Sequence, residues 1–367
     1  EVTAPAAPPR VVRLAIVGCG AITEGYHLPA ALAEPGCEVT VLVDADLPRV
    51  TTLGQRSGVA KVSADYRDVF GAADAALLAL PNHLHADVAC ALLERGVHVL
   101  VEKPMAITVA DCDRMIAAAE RARAVLAVAQ LRRFWAPVHF VKDALARGVI
   151  GRVKRFEIKD GWVFGWALRS PYLFLAREAG GGCLMDMAPH LIELLLHWLG
   201  DLTILDYQDD ARGGVEANCF IRLATADGAE GTVEFSRTRN LGASIVLEGE
   251  RGTLEMGAGK ANALSLTFDG QTQLVGGGAR VAAPSGSGRP LPRPGAEDFD
   301  HLFAHQIRDF VEAIQGLHPP GVPGHEGRRS VEFVQRCYAQ RRPLVPGFMA
   351  PSLPVFDPGA EPAEEGA

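Results

Sequence analysis

Between Val11 and about residue 131, short apolar runs rich in β-branched residues alternate with segments of helical composition, and this alternation constrains the fold more than any other feature of the chain. Val11 to Val17 ends in Gly18-Cys19-Gly20-Ala21-Ile22-Thr23 ahead of a helix-like stretch, and Val39 to Val43 closes on Asp44. Ala73 to Leu80 stops at Pro81-Asn82, and Ala86 to Arg95 reads as a helix ended by Gly96. Val97 to Val101 returns to strand, followed by a helix over Asp111 to Arg123 and a strand over Val125 to Ala129. Strands this apolar, separated by helices, build a parallel sheet covered on both faces. The expectation is a doubly wound α/β domain over 11–131, preceded by a flexible Ala/Pro-rich tail at 1–10.

After Gln130 the pattern changes. Pro137 to Arg147 reads as a helix, Arg152 to Trp162 alternates like a half-exposed strand, and Leu184 to Leu199 is a long apolar segment closed by Gly200. Five further strands are expected at Leu202 to Tyr207, Glu216 to Ala224, Ala229 to Arg237, Ala243 to Glu248 and Leu264 to Phe268, several joined by Asp-Gly or Arg-Gly turns. This predicts an α+β domain over 132–342 with a large, mostly antiparallel open sheet. Gly276 to Gly295 reads as a mobile loop, His301 to Gln315 and His325 to Arg341 as closing helices that pack back on the first domain, and 343–367 as a tail. A chain of 367 residues exceeds the usual ceiling for one hydrophobic core, which agrees with two domains.

A net charge of -8 argues against nucleic acid or an anionic membrane as partner. The seven cysteines are odd in number and contain no Cys-x-x-Cys pair, so neither a disulfide framework nor a metal site is expected, and a reducing cytoplasm fits. No apolar run approaches the length of a membrane helix, and the amino terminus lacks a signal core.

Five short features carry chemistry. Gly18-x-Gly20 permits a tight turn and close approach of a pyrophosphate to a helix start, although Thr23 stands where the fingerprint has Gly or Ala. Asp44, at the end of the second strand, is placed for the adenosine ribose hydroxyls and would repel a ribose phosphate, which favours NAD over NADP. Asn82 and His85 follow the next strand and are candidates for the nicotinamide ribose. Lys103, in Glu102-Lys103-Pro104 at the end of another strand, points an amine into the crevice where such sheets hold ligands. Asp186 and His190, four residues apart, share one helix face and can reach one bound molecule.

Taken in order, Gly18-Cys19-Gly20-Ala21-Ile22, Pro81-Asn82-His83-Leu84-His85, Gly96 to Pro104 and Gly180-Gly181-Gly182-Cys183-Leu184-Met185-Asp186-Met187-Ala188-Pro189-His190 resemble the Gfo/Idh/MocA (glucose-fructose oxidoreductase / inositol dehydrogenase) family across about Val11 to Arg342. The resemblance implies a Rossmann domain with a substrate domain, and a cofactor set of Gly18, Gly20, Ala21, Ile22, Asp44, Leu80, Asn82, His85, Glu102 and Lys103. It implies hydride transfer between a secondary hydroxyl of a sugar or cyclitol and nicotinamide. His190 is the first choice as base, with Lys103 stabilising the alkoxide and relaying the proton and Asp186 orienting the substrate hydroxyl or the histidine. It also places Arg132, Arg133, Trp162, Trp166 and Arg169 near the cleft, where the indoles would stack on a sugar or base and the arginines would bind phosphate. A nucleotide- or phosphate-linked hexose, oxidised at C3, is one expectation for the substrate. A redox-neutral NAD-dependent glycoside-cleaving enzyme and a non-catalytic NAD-binding sugar sensor remain as alternatives. Relatives are commonly dimers or tetramers, which implies a homodimer or homotetramer.

Overall fold

The computed structural model describes residues 10–165, 170–257, 264–268, 271–275 and 299–344. The expected loop at 276–295, most of both tails, and Trp166 and Arg169 lie outside the described residues. The first sheet comprises β1 (Val12–Val17), β2 (Cys37–Val43), β3 (Lys61–Ser63), β4 (Ala75–Leu78), β5 (His98–Glu102) and β6 (Leu126–Ala129), all parallel, in the order β3-β2-β1-β4-β5-β6. All four residues of β4 and of β6 are buried, which is why these strands read as unbroken apolar runs. The order reverses between β1 and β4, and a crevice opens beyond the carboxyl ends of strands at such a reversal.

Helices α1 (Leu28–Ala33), α2 (Leu47–Ser57), α3 (His85–Leu93) and α4 (Val109–Ala122) connect these strands. Helix α2 and strand β3 had no expectation in the sequence. Asp46 nevertheless caps α2, accepting from the Arg49 amide at 3.1 Å, and Gly58 ends it at φ 75°.

The second sheet comprises β7 (Val153–Gly161), β8 (Leu202–Asp209), β9 (Asn218–Thr225), β10 (Glu230–Ser236), β11 (Gly242–Gly249), β12 (Gly252–Gly257), β13 (Leu264–Phe268), β14 (Gln271–Val275) and β15 (Arg342–Pro343), in the order β14-β13-β12-β11-β7-β10-β9-β8-β15. Most neighbours are antiparallel, but β7 and β10 run parallel, with Gly161 opposite Ser236. One face, including Phe156, Ile158, Ile221, Val233, Phe235 and Ile245, is buried, whereas Arg155, Glu157 and Lys159 alternate onto the open face. Helices α5 (Ala136–Ala146), α6 (Ala176–Ala179) and α7 (Cys183–Leu199) belong to this half, and α7 packs on β9 and β10. The closing helices α8 (Phe299–Ile314) and α9 (Gly324–Ala339) return to the first sheet: α8 lies against α1, and α9 is wedged among α7, α4 and β6. Among the described residues no helix is long and apolar enough to cross a membrane.

Candidate active site

At the end of β1 the chain turns through Gly18 at φ 97°. A β-carbon on Gly18 would lie 2.1 Å from the Ala79 carbonyl oxygen, so only glycine passes β4 here, whereas the space beside Gly20 is open. The helical run that follows begins at Ala21 and Ile22 and contains a π turn over Thr23–His27. Thr23 is fully buried and its hydroxyl donates to the Gly18 carbonyl at 2.6 Å, so the departure from the glycine fingerprint braces the turn. Asp44 accepts from the Cys19 amide at 2.7 Å and the Asp46 amide at 2.9 Å. Arg49 lies 3.9 Å from Asp44 but only 3.0 Å from Asp46. Amides, carboxylate and open space above Gly20 are the groups a dinucleotide needs at this turn, and the residues fit it.

Two expected cofactor contacts are corrected. His85 is fully buried, with Nδ1 2.9 Å from the Pro104 carbonyl and Nε2 2.8 Å from the Leu80 carbonyl, so it ties two strand-end loops together and presents no edge to the crevice. Burial holds its pKa below the ordinary value, while the carbonyl bonds oppose that fall. Asn82 is likewise buried and donates to the Ala179 carbonyl at 2.8 Å, joining the two halves of the chain.

At the end of β5, Glu102 receives the Lys103 amide at 2.9 Å and faces His27 Nε2 at 2.7 Å. Burial alone would raise the Glu102 carboxyl, but the bond and charge of His27, with the Lys103 charge, hold it below the usual range. The Lys103 ammonium meets Asp186 Oδ1 at 2.7 Å. Burial pulls its pKa down to about 8; Glu102 opposes the fall, and Arg237 and Arg132 deepen it. One helical turn beyond Asp186, His190 holds a buried Nδ1 without a hydrogen-bond partner among the described residues. Burial, then the charges of Lys103 and Arg132, put its pKa well below the ordinary value. Amine and imidazole, from β5 and α7, therefore share one electrostatic neighbourhood.

The three glycines before α7 are required by contact. A β-carbon on Gly180 would lie 2.7 Å from Ile107, on Gly181 2.0 Å from the Tyr338 hydroxyl, and on Gly182 2.0 Å from the Glu216 carbonyl. Buried Glu216 accepts from the Gly182 and Leu184 amides, both at 3.0 Å, and from the Tyr338 hydroxyl at 2.7 Å. This carboxylate caps the helix that presents Asp186 and His190.

Of the expected substrate residues, Arg132 lies at the site, with Nη2 4.0 Å from Asp160 and a buried Nη1 lacking a partner among the described residues. Burial lowers its pKa to about 10 against the opposing charge of Asp160. Arg133 does not reach the cleft. It is buried in a network with Glu193 at 2.5 Å, Glu326 at 2.9 Å and His197, and it ties α7 to α9. Trp198 is buried in the core, its indole donating to the Val138 carbonyl at 3.1 Å.

Trp162 stacks on Phe164 at 5.6 Å and lies 4.6 Å beneath the guanidinium of Arg237, which pairs with Asp186. Arg237, Asp160 and Tyr172 had no expectation in the sequence. Tyr172 feels the Glu102 charge, and burial with that charge pushes its pKa up to about 12. What brings Arg237 to the site is the parallel β7·β10 pair, which sets Trp162 beside Ser236 and Phe164 beside Arg237, with backbone bonds of 3.2 and 2.9 Å.

Fold and site together define a class: two-part proteins that cradle a dinucleotide at a doubly wound sheet and bring a lysine there against a helix from an open-sheet domain. The chain belongs to the GFO/IDH/MocA oxidoreductases, matching the family's NAD-binding Rossmann fold over residues 12–130 and its C-terminal domain over residues 138–255. It is 32% identical over 191 residues to a putative UDP-kanosamine synthase oxidoreductase subunit of Amycolatopsis mediterranei, covering 52% of each chain. Levoglucosan dehydrogenase of Pseudarthrobacter phenanthrenivorans is 26% identical over 314 residues, covering 75% of this chain and 80% of that one. The matches span about half the length of most of these curated relatives. The crystal structure of a 3-ketoreductase from Actinomadura kijaniata in complex with NADP and TDP-benzene superposes at TM-score 0.76 with 23% identity, covering 91% of this chain and 98% of that one, which establishes the shared fold.

Proposed function

We propose that this chain is an NAD-dependent oxidoreductase acting between a secondary hydroxyl of a sugar or cyclitol and the corresponding ketone. The observation that carries the reading is the meeting of Lys103, at the end of a cofactor-sheet strand, with Asp186 on the helix that also bears His190. Bound nicotinamide supplies the hydride acceptor or donor. Gly18, Gly20, Ala21 and Ile22 line the turn for the pyrophosphate, and Asp44 takes the ribose hydroxyls and favours NAD over NADP.

In oxidation the hydroxyl proton must leave as hydride departs from the same carbon. With a pKa of about 8, Lys103 divides between amine and ammonium near working pH. The amine accepts the proton at Nζ, and in reduction the ammonium returns it. Asp186 holds Nζ in place. The sequence favoured His190 as base; burial among cations makes its imidazolium the costly form, so the proton passes to Lys103 and the neutral ring accepts a substrate hydroxyl hydrogen bond. The seven free cysteines agree with a reducing cytoplasm as the setting. A C3 site of oxidation belongs to the same reading, on the ground of relatives named as a D-glucoside 3-dehydrogenase and a 3-ketoreductase.

The test is a sugar panel read at 340 nm with the wild type and Lys103→Ala. Stoichiometric NADH is expected with the wild type, and its absence beside glycoside cleavage would favour the redox-neutral alternative. The variant should lose at least about a hundredfold in kcat with NADH affinity little changed. Oxidation by the wild type should rise, and reduction fall, as pH passes through about 8, because the first needs the amine and the second the ammonium. Full activity in the variant would remove Lys103 from the mechanism.

A further inference from the structure

His27 had no expectation in the sequence, yet it is fully buried at the end of the π turn that follows Gly18 and Gly20. Its Nε2 lies 2.7 Å from Glu102 Oε1, and the other carboxylate oxygen, Oε2, accepts the Lys103 amide at 2.9 Å. An ionised carboxylate only accepts, so Nε2 carries the hydrogen of this bond. Phe303 of α8 meets the imidazole edge-on with centroids 4.8 Å apart, and Nδ1 is buried without a partner. Among the described residues the bond to Glu102 is therefore the ring's one hydrogen bond. The turn suited to a dinucleotide and the strand end that presents the amine are tied together at a single carboxylate.

His27 and Lys103 are the charges that act on Glu102, whose own charge also reaches His85 of α3 and Tyr172. Around the Lys103 ammonium stand Asp186 and Arg237, with Arg132 and His190 within range of its charge. The two arginines favour loss of the Lys103 proton and Glu102 opposes them, so the ionisation of Glu102 matters to the amine. Burial would protonate Glu102, and the His27 bond leads the influences against it.

We propose that His27 is a positioning residue for the proton-transfer amine: by donating to Glu102 it keeps a negative charge fixed beside Lys103, so that the nucleotide turn sets the proton affinity of the reacting lysine. This rests on the reading of Lys103 as the proton-transfer group and adds the residue that tunes it. Without the donor, the buried carboxyl takes a proton, the amine loses an opposing charge, and its ammonium form becomes costlier. The rising limb of oxidation then moves to lower pH.

Two pH profiles of the full chain test this: kcat/KM for oxidation with NAD, and, without turnover, the rate of Lys103 acetylation by acetic anhydride followed by peptide mass spectrometry. In Glu102→Gln both midpoints should fall by about one pH unit, the scale set by a single close charge. His27→Leu should shift them in the same direction, whereas His27→Gln, which retains an N–H donor, should restore most of the wild-type midpoint. The double variant Glu102→Gln/His27→Leu should fall no further than Glu102→Gln alone, because the ring acts through the carboxylate. His27→Phe, which keeps a ring against Phe303 and lacks the donor, serves if His27→Leu fails to fold. Unmoved midpoints in Glu102→Gln or His27→Leu, equal shifts in His27→Leu and His27→Gln, or a further fall in the double variant would each overturn the coupling. Acetylation midpoints that shift as expected without NADH formation from any sugar remove the redox reading and leave the coupling standing. NADH formation with unmoved acetylation midpoints does the reverse.

Discussion

Arg237 acts on the proton-transfer group in two ways at once. Its charge lowers the Lys103 pKa directly, and its pairing with Asp186 competes for the carboxylate that Lys103 also holds. Removing the guanidinium should therefore raise the Lys103 pKa on both counts. For Arg237→Gln the rising limb of kcat/KM for oxidation, centred near pH 8 in the wild type, should move to higher pH, and the falling limb for reduction should move with it. A pH profile that keeps its midpoint while activity drops would reduce Arg237 to a packing partner of Trp162. Lys103, Asp186 and His190 were legible as residues because strand-end and i, i+4 positions have fixed directions. Arg237 was not, because its position depends on a parallel pairing between strands nearly eighty residues apart.

Helix α7 shows how an element is set by what surrounds it. Its apolar pattern and closing Gly200 marked it in the sequence, but its amino-terminal cap comes from Glu216, more than thirty residues later. The triple glycine follows from the same crowding: Gly181 passes beneath the Tyr338 hydroxyl, which the bond to Glu216 fixes in place. Gly181→Ala should cost about 1–3 kcal/mol by overpacking, measured by denaturant unfolding. Gly214→Ala, where nothing lies within 4 Å of the added carbon, should stay within about 0.5 kcal/mol. Equal losses at the two positions would contradict the steric account. Short elements escaped the sequence for the opposite reason. Strand β15 has two residues and exists through pairing with β8, and β12 is bounded by glycines and held by β11 and β13.

At the scale of the whole molecule, several histidines are folded into positions that disfavour their charged form. Burial leads the effect in His85, His190 and His197; in His197, Arg133 and Lys142 add to it and bring the pKa to about 3. Their folded pKa values lie below the unfolded one, so the unfolded chain binds more protons in acid. The stability they contribute is fully present above about pH 6.5 and is lost as pH falls from there toward the folded values. Unfolding free energy from guanidinium titration should therefore drop between pH 7.5 and 5, and constant stability over that interval would show that these rings are protonated in place.

By itself the sequence determined the alternation that builds the first sheet, the glycine turn, the acid at Asp44 and the strand-end lysine, because each depends on local periodicity or backbone permissiveness. Tertiary structure decided the rest. It turned Asn82, His85 and Arg133 from candidate ligand contacts into buried ties, brought Arg237 to Asp186, and lowered the proton affinities of Lys103 and His190. Burial and charge proximity are sums over residues distant in the chain, so they come into being only when the two sheets and the closing helices are assembled.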